Sequence, residues 1–422
     1  MHMAWDKIQV KRHIEKELPE SSERGIILIT GARQTGKTTL VTLRYPDLQY
    51  FNLDAIEFRL QLAGVSSFTW GRDVGKAVID EIQKEPSLIE KIKYSYDAKA
   101  LSFTVLTGSS QIMLLKNVRE TLAGRIIIFE LFPFLLSELT DPENPNRKPI
   151  LLAKILSDSE PDILLKKLPA LLLGKKAVDM KEAVTWLSIW GGMPPLIHIR
   201  EDTRKIVWLK NYAMAYLERD LADLARLTDL KPFKKFQQFT ANRAAQILSY
   251  SELARDAGIG VETARRYLEY LTLSYQTFLL PVYSKNLTSR LIKAPKVYWF
   301  DNGLLRHLSG IGFEVMNGQL FENFIAAEIM KWIRTSDANV TLSYYRTRSG
   351  MEVDFCLETN KGLTGIEVKY RNTVSDVDFT NLKRLAEAAG EAWQGGFVIY
   401  NGDEIIQFGK SLWALPVCRF FT

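Results

Sequence analysis

The sequence predicts an α/β protein in four parts. These are a parallel sheet with helices on both faces around a phosphate-binding loop, a helical lid, a helix-turn-helix with a β-wing, and a smaller C-terminal α/β domain. Three observations predict it. An apolar, β-branched run at 24–30 passes directly into Gly31-x-x-x-x-Gly36-Lys37-Thr38. Amphipathic helical patterns joined by a glycine turn follow from Pro232 onward. Finally, "GMEVDFCLETNKGLTGIEVKY" at 350–370 sets an Asp in one apolar run and a Glu-x-Lys triplet in the next.

Composition narrows the function classes. At 422 residues, 46% hydrophobic and 25% charged, the chain reads as a globular protein of two to four domains. Its longest apolar runs are broken by Lys or Pro short of a bilayer span, so no membrane partner is expected. The opening, "MHMAWDKIQVKRHIEKELPE", is charged and amphipathic, without the apolar stretch of a secretory signal. Two cysteines, Cys356 and Cys418, and four histidines without a cluster argue against a disulfide framework or a transition-metal enzyme. A cytoplasmic location is the expectation. The net charge of +6 permits phosphate contacts without demanding them.

The run at 24–30 has no helical period and reads as a buried parallel strand. In the loop after it, glycines turn backbone N–H groups onto phosphate oxygens, and the next helix presents its positive end. Gly31, Gln34, Thr35, Gly36, Lys37, Thr38 and Thr39 are therefore the expected ATP-binding residues. Lys37 reaches the β/γ-phosphates and Thr38 ligates Mg²⁺. "KAVIDEIQ" supplies the acidic half: Asp80 to hold the same Mg²⁺ and Glu81 to activate the attacking water.

Further strand patterns, "LQYFNLD", "LSFTVLTGSS" and "RIIIFELFPF", alternate with helical ones, as a doubly covered parallel sheet requires. "TVLTGSS" ends in hydroxyl residues where a strand tip faces the γ-phosphate, which makes Ser109 the candidate polar sensor and Ser110 the runner-up. The helix "QIMLLKNVRETLAGR" delivers Arg125 just before the next strand, where it would at least cap the helix C-terminus. The P-loop, "VIDEIQ", "LTGSS" and "LAGR" in this order resemble an AAA+ ATPase. The resemblance implies that Arg125 reaches into the ATP site of a neighbouring subunit and that the active form is a homo-oligomer. One departure stands out: AAA+ lids often carry a second sensing arginine, and the matching stretch "IWGGMPPLIHI" has Gly191, Gly192, Met193 and Pro194 instead.

"DPENPNRKP" at 141–149 reads as an exposed connection, and 141–230 as a helical insertion and lid after a 1–140 ATPase core. In 231–300, "FKKFQQFTANRAAQIL" reads as one amphipathic helix. "SYSE" is a capping box opening a second helix that ends at Gly258, and "VETARRYLEYLTLSY" is a third. With the strand-like "TFLLPVYS" and "KVYWF" they make a winged helix-turn-helix. Thr263, Arg265 and Arg266, beside Glu262, are the candidate DNA readers, with Lys285 and Arg290 on the wing. The alternative is a protein–protein module.

In 301–422, "FDNGLL", "LFENFI", "GMEVDF" and "IEVK", together with "GGMPP", resemble a group of prokaryotic AAA+ proteins whose C-terminal part is a domain of unknown function. The same motifs are similar to the PD-(D/E)XK nuclease fold. That likeness implies Glu322 on a leading helix, Asp354 on a strand, and Glu367 with Lys369 on the next. Strand alternation points Glu367 and Lys369 to one face. Asp354 and Glu367 could chelate Mg²⁺ while Lys369 holds the attacking water. A buried ion-pair network without metal is the other reading of the same residues. The sequence thus leads to an oligomeric ATPase acting on DNA. A signalling-type ATPase switch for protein assembly and an ATP-gated metal-dependent DNA nuclease are the alternatives.

Overall fold

The computed structural model describes residues 9–108, 120–158, 160–216, 230–284 and 294–422. The first sheet contains β1 (Gly25–Thr30), β2 (Gln49–Asn52), β3 (Ala77–Asp80), β4 (Phe103–Thr107) and β5 (Ile126–Glu130). All pairings are parallel, in the order β2-β3-β4-β1-β5. All six residues of β1 are buried because side chains alternate and both faces are covered. Ile26 and Leu28 pack with Trp70, Leu88 and Ile92 on one face, while Ile27 and Ile29 pack with Leu40 and Val41 on the other. The order matters for the site, since β4 lies between the strand that feeds the P-loop and the strand that carries Asp80.

A second, three-stranded antiparallel sheet, β6-β8-β7, comprises β6 (Gln246–Ile247), β7 (Thr277–Leu280) and β8 (Lys296–Trp299). It packs with the helices Lys231–Asn242, Tyr250–Ala257 and Val261–Leu273 around Phe233, Phe236, Leu253, Leu268 and Val297. Ser249 caps the middle helix, its hydroxyl accepting from the Glu252 N–H at 3.4 Å, and Gly258 closes it at φ 71°. One sequence expectation is corrected here. The helix expected through "FKKFQQFTANRAAQIL" ends at Asn242; Ala245 takes φ 60°, and Gln246–Ile247 leave to pair with β8. Pairing outweighs helix propensity at that point.

The third sheet is mixed and six-stranded, β13-β14-β12-β11-β10-β9. Its strands are β9 (Thr341–Arg346), β10 (Glu352–Thr359), β11 (Gly362–Lys369), β12 (Trp393–Tyr400), β13 (Ile406–Gly409) and β14 (Leu412–Pro416). β10 is antiparallel to both β9 and β11, whereas β11 and β12 are parallel and are joined through the helix Thr380–Ala389. One face packs Leu382 and Leu385 of that helix. The other packs Leu320, Phe324 and Ile325 of the long helix Gly318–Thr335.

A single hydrophobic cluster runs from Val10 and Phe132 through the helix Lys175–Trp190 to Trp299, Phe324 and Phe421. Two short motifs meet inside it. Asp301 accepts hydrogen bonds from the Leu304 and Gly192 N–H groups, at 2.9 and 2.8 Å. A Cβ on Gly191 would lie 2.2 Å from Asp301 Oδ1, and one on Gly192 would lie 2.6 Å from the Phe134 carbonyl oxygen. "GGMPP" and "FDNGLL" are therefore two halves of one contact.

Candidate functional site

The P-loop is shaped by what lies beneath it. Leu131 N–H donates to the Thr30 carbonyl at 2.8 Å, and its own carbonyl comes so close to Gly31 (φ 146°) that a Cβ there would be 2.1 Å away. Only glycine fits. Gly36, at φ 93°, starts the helix Lys37–Arg44. Thr35 is buried and donates to the Ala32 carbonyl at 2.9 Å. The Lys37 ammonium donates to the Gly31 and Ala32 carbonyls at 3.0 and 2.8 Å, at the centre of the loop.

Asp80 ends β3 as the hub of the acidic half. Its Oδ2 accepts from the Thr38 hydroxyl at 2.7 Å and from the Tyr50 hydroxyl at 2.6 Å. Its Oδ1 accepts from the Glu81 N–H at 3.0 Å and from the Thr107 hydroxyl at the tip of β4. A hydroxyl and a carboxylate in contact at a loop built for phosphates are the donor set that Mg²⁺ takes, so Thr38 and Asp80 fit it. Glu81 sits at φ 59°, accepting from the Gln83 amide. Burial, and then the neighbouring Asp80, push its carboxyl above the usual range.

Two cavities flank the loop. One of about 570 Å³ is lined by Arg33, Lys37, Thr38, Glu81, Pro195 and His198. The other, about 350 Å³, is bounded by Val10, Arg12, Leu40, Phe134, Ile197 and His198. Arg12, which the sequence does not single out, locks the second wall. It donates to the Thr35 carbonyl at 2.9 Å, the Phe132 carbonyl at 2.6 Å and Glu138 Oε1 at 3.1 Å, with its guanidinium 4.6 Å from the Phe134 ring centre. Burial acts to raise the Glu138 carboxyl. Arg12, His13 and two backbone N–H groups outweigh it and hold that carboxyl below its ordinary value.

The remaining candidates of the ATPase domain divide. Ser109 and Ser110 lie outside the described residues. Arg125 is half-buried and pairs with Asp97 at 2.6 Å. It precedes Ile126, which pairs with Ile26, so it stands at the edge of the sheet opposite the P-loop and away from its own chain's nucleotide site.

In the C-terminal domain the four expected residues converge. A register shift of β10 against β9 falls between Val353 and Cys356, and Asp354 Oδ2 there accepts from the Val368 N–H at 2.8 Å. Glu367 Oε2 pairs with Lys369 at 2.8 Å on the same face of β11, while its Oε1 is buried without a hydrogen-bond partner. Burial, and then Asp354, push Glu367 up to about 8 and Glu322 up to about 7. Burial also raises Asp354. Burial acts to lower Lys369, but Glu367 and Asp354 outweigh it and raise it.

Three residues of this cluster were not anticipated. Lys296 Nζ lies 3.1 Å from Glu322 Oε1 and 2.6 Å from Glu352 Oε1, and the Tyr298 hydroxyl donates to the same Glu322 oxygen at 2.6 Å. Their signal in the sequence is slight: a charged residue opening the otherwise apolar run "KVYWF". Glu322 is thus engaged by Lys296 and Tyr298. Among the described residues no group of three His, Cys, Asp or Glu side chains is arranged to hold a metal.

Of the candidate DNA readers, Arg265 and Arg266 are exposed and Thr263 is half-buried. Arg265 lies 3.7 Å from Glu262, with its guanidinium 4.3 Å from the Tyr250 ring centre. Lys285 and Arg290 lie outside the described residues. Among the described residues no helix is long and apolar enough to cross a membrane.

A loop, lysine, hydroxyl and strand-end carboxylate in this geometry define a P-loop nucleotide-binding domain. Residues 23–140 match the family model described as an AAA domain. Residues 181–314 and 317–420 match two models described as domains of unknown function, DUF8612 and DUF4143. An uncharacterized protein of Mycobacterium tuberculosis, Rv2008c, is 27% identical over 94% of this chain and 81% of its own length. One of Methanocaldococcus jannaschii, MJ1544, is 24% identical over 88% of this chain and 83% of its own. Among solved structures, the Walker-type ATPase PABY2304 of Pyrococcus abyssi is similar at 14% identity and a TM-score of 0.40, covering 72% of this chain and 97% of that one. AMPPCP-bound DnaA from Aquifex aeolicus is similar at 16% identity and a TM-score of 0.27, over 62% of this chain and 87% of that one.

Proposed function

We propose that this chain is an oligomeric ATPase that binds and hydrolyses ATP with Mg²⁺ and acts on DNA through its helix-turn-helix and C-terminal domain. The observation that carries the proposal is the meeting of Thr38, Asp80 and Glu81 above the P-loop, with Thr38 and Asp80 in contact at 2.7 Å. The N–H groups of the loop and the Lys37 ammonium bind the phosphates, and the apolar cavity beside Leu40 and Ile197 receives the base. Mg²⁺, held by Thr38 and Asp80, would supply positive charge to the phosphate oxygens. Glu81, its proton affinity raised by burial, accepts the proton of the attacking water. Arg125, facing away from its own chain's site, serves the site of a neighbouring subunit.

The DNA arm of the proposal rests on the exposed Arg265 and Arg266 near the start of the third helix, with Thr263 beside them. It also rests on the helix–strand–strand–strand–helix–strand order of the C-terminal domain, which is in keeping with the resemblance to the PD-(D/E)XK fold. The second reading, a switch for protein assembly, is favoured by the way the C-terminal domain is fastened to the ATPase. Glu328 accepts from the Leu136 N–H at 2.7 Å and Lys331 donates to the Phe134 carbonyl at 2.9 Å.

Two variants test the site. Lys37→Ala is expected to abolish ATP binding in a direct titration. Glu81→Gln is expected to keep binding and lose about 10²–10⁴-fold in turnover. Wild-type hydrolysis in both would sink the assignment.

A further inference from the structure

We propose that the cation of the C-terminal acidic cluster is the chain's own Lys296, and that the cluster as built therefore takes no divalent metal. The proposal stands on where this lysine is held. It opens β8, the middle strand of its sheet, with its backbone paired to Ile247 on one side and Leu280 on the other. Its side chain is only 4% exposed and extends out of that sheet into the C-terminal domain. There the ammonium is shared between Glu322 Oε1 on the long helix and Glu352 Oε1 on β10, at 3.1 and 2.6 Å.

The carboxylates of the cluster each meet a donor of the chain itself, with Glu367 Oε1 left over. Glu322 Oε1 receives the Tyr298 hydroxyl as well as Lys296. Glu352 has its second oxygen 3.1 Å from Arg346. Glu367 holds Lys369, and Asp354 holds the Val368 N–H. The Lys296 ammonium also lies 5.5 Å from the Tyr344 ring centre, and the Tyr344 hydroxyl donates to the Ala294 carbonyl at 2.7 Å, fastening the chain just before β8. A divalent ion entering between Asp354 and Glu367 would meet the Lys296 and Lys369 ammonium groups, whose charges already act on Asp354, and would have to compete with them. The lysine also does structural service that a metal would not: it ties β8, β10 and the long helix together. Domain contact and metal exclusion are then one feature, and strand cleavage by this cluster is not part of the chain's activity. The buried, unpartnered Glu367 Oε1 marks where an ion would bind once the lysine's charge is gone.

The test counts Mn²⁺ bound to the full-length chain at neutral pH without nucleotide, by the paramagnetic signal of the free ion. Wild type and Asp354→Asn are expected to bind equally, because any ion at Thr38 and Asp80 is common to both. Lys296→Met, which keeps the stem and removes the charge, is expected to gain one ion, and the Lys296→Met/Asp354→Asn double variant to lose it. Loss of an ion from wild type on Asp354→Asn alone would overturn the proposal. So would a folded Lys296→Met protein, checked by circular dichroism, that gains none. If Lys296→Met does not fold, the wild-type and Asp354→Asn comparison decides alone. ATP turnover reports on the other site and is read separately.

Discussion

Arg12 and His13 join the segment before β1 to the underside of the P-loop, and their neighbours determine what each can tolerate. Removing the Arg12 guanidinium leaves Glu138 buried without its charged partner and frees the Thr35 carbonyl of the loop. Breaking a buried pair in this way costs about 3–5 kcal/mol. Arg12→Met should therefore lower the urea midpoint substantially and weaken ATP binding together with it. His13 gives a pH signature. Burial, which comes first, pushes it down to about 4, and its Nε2 lies 2.7 Å from the Ser137 hydroxyl. Between about 4 and 6.5 the unfolded chain takes up a proton that the folded one refuses, so stability falls as pH falls through this window. His13→Gln should flatten the melting temperature across it. An unchanged slope would show that the imidazole is not held neutral.

At the scale of elements, the helix Gly318–Thr335 links the two sites. Glu322 near its start belongs to the acidic cluster. About 13 Å further along, by helical rise, Lys331 holds the Phe134 carbonyl and lies 2.5 Å from Glu328. Arg334 then pairs with Glu130, the last residue of β5, its Nε at 2.7 Å. Glu130 is followed by Leu131, whose carbonyl forms the floor under Gly31. Lys331→Met should cost about 3–5 kcal/mol because Glu328 stays buried behind it. Arg334→Ala should cost under about 1 kcal/mol, since that pair is partly exposed. Hydrogen exchange checks the link: ATP is expected to slow exchange along this helix in wild type and to do so less in Arg334→Ala. The same element shows where sequence reading stops. The P-loop was legible because Gly31 to Thr39 are contiguous and their chemistry is local, and Asp80 and Glu81 because they end an apolar strand. Ser249 and Gly258 announced their helix for the same reason. Arg12, Lys296 and Lys331 carry no such local pattern, since each meets a partner distant in sequence. The helix expected through residue 248 failed because β8 claimed its last residues.

Over the whole molecule, one core passes from beside the P-loop through the helix Lys175–Trp190 to the last residues of the chain. "GGMPP" sits on that path, with its glycines between Asp301 and Phe134 and its Pro194 and Pro195 lining the cavity beside the P-loop with His198. Gly192→Ala should therefore perturb both ends, lowering stability and ATP affinity together, because its Cβ has no room. The central claim, that ATP turnover serves an action on DNA, is tested most directly by the steady-state ATPase rate with and without DNA, in single-stranded, duplex and branched forms at two salt concentrations. Stimulation by one form, fading at the higher salt as phosphate contacts exchange for counterions, is the predicted result. A flat response from an enzyme that hydrolyses ATP would contradict it and leave the switch for protein assembly as the account of this chain.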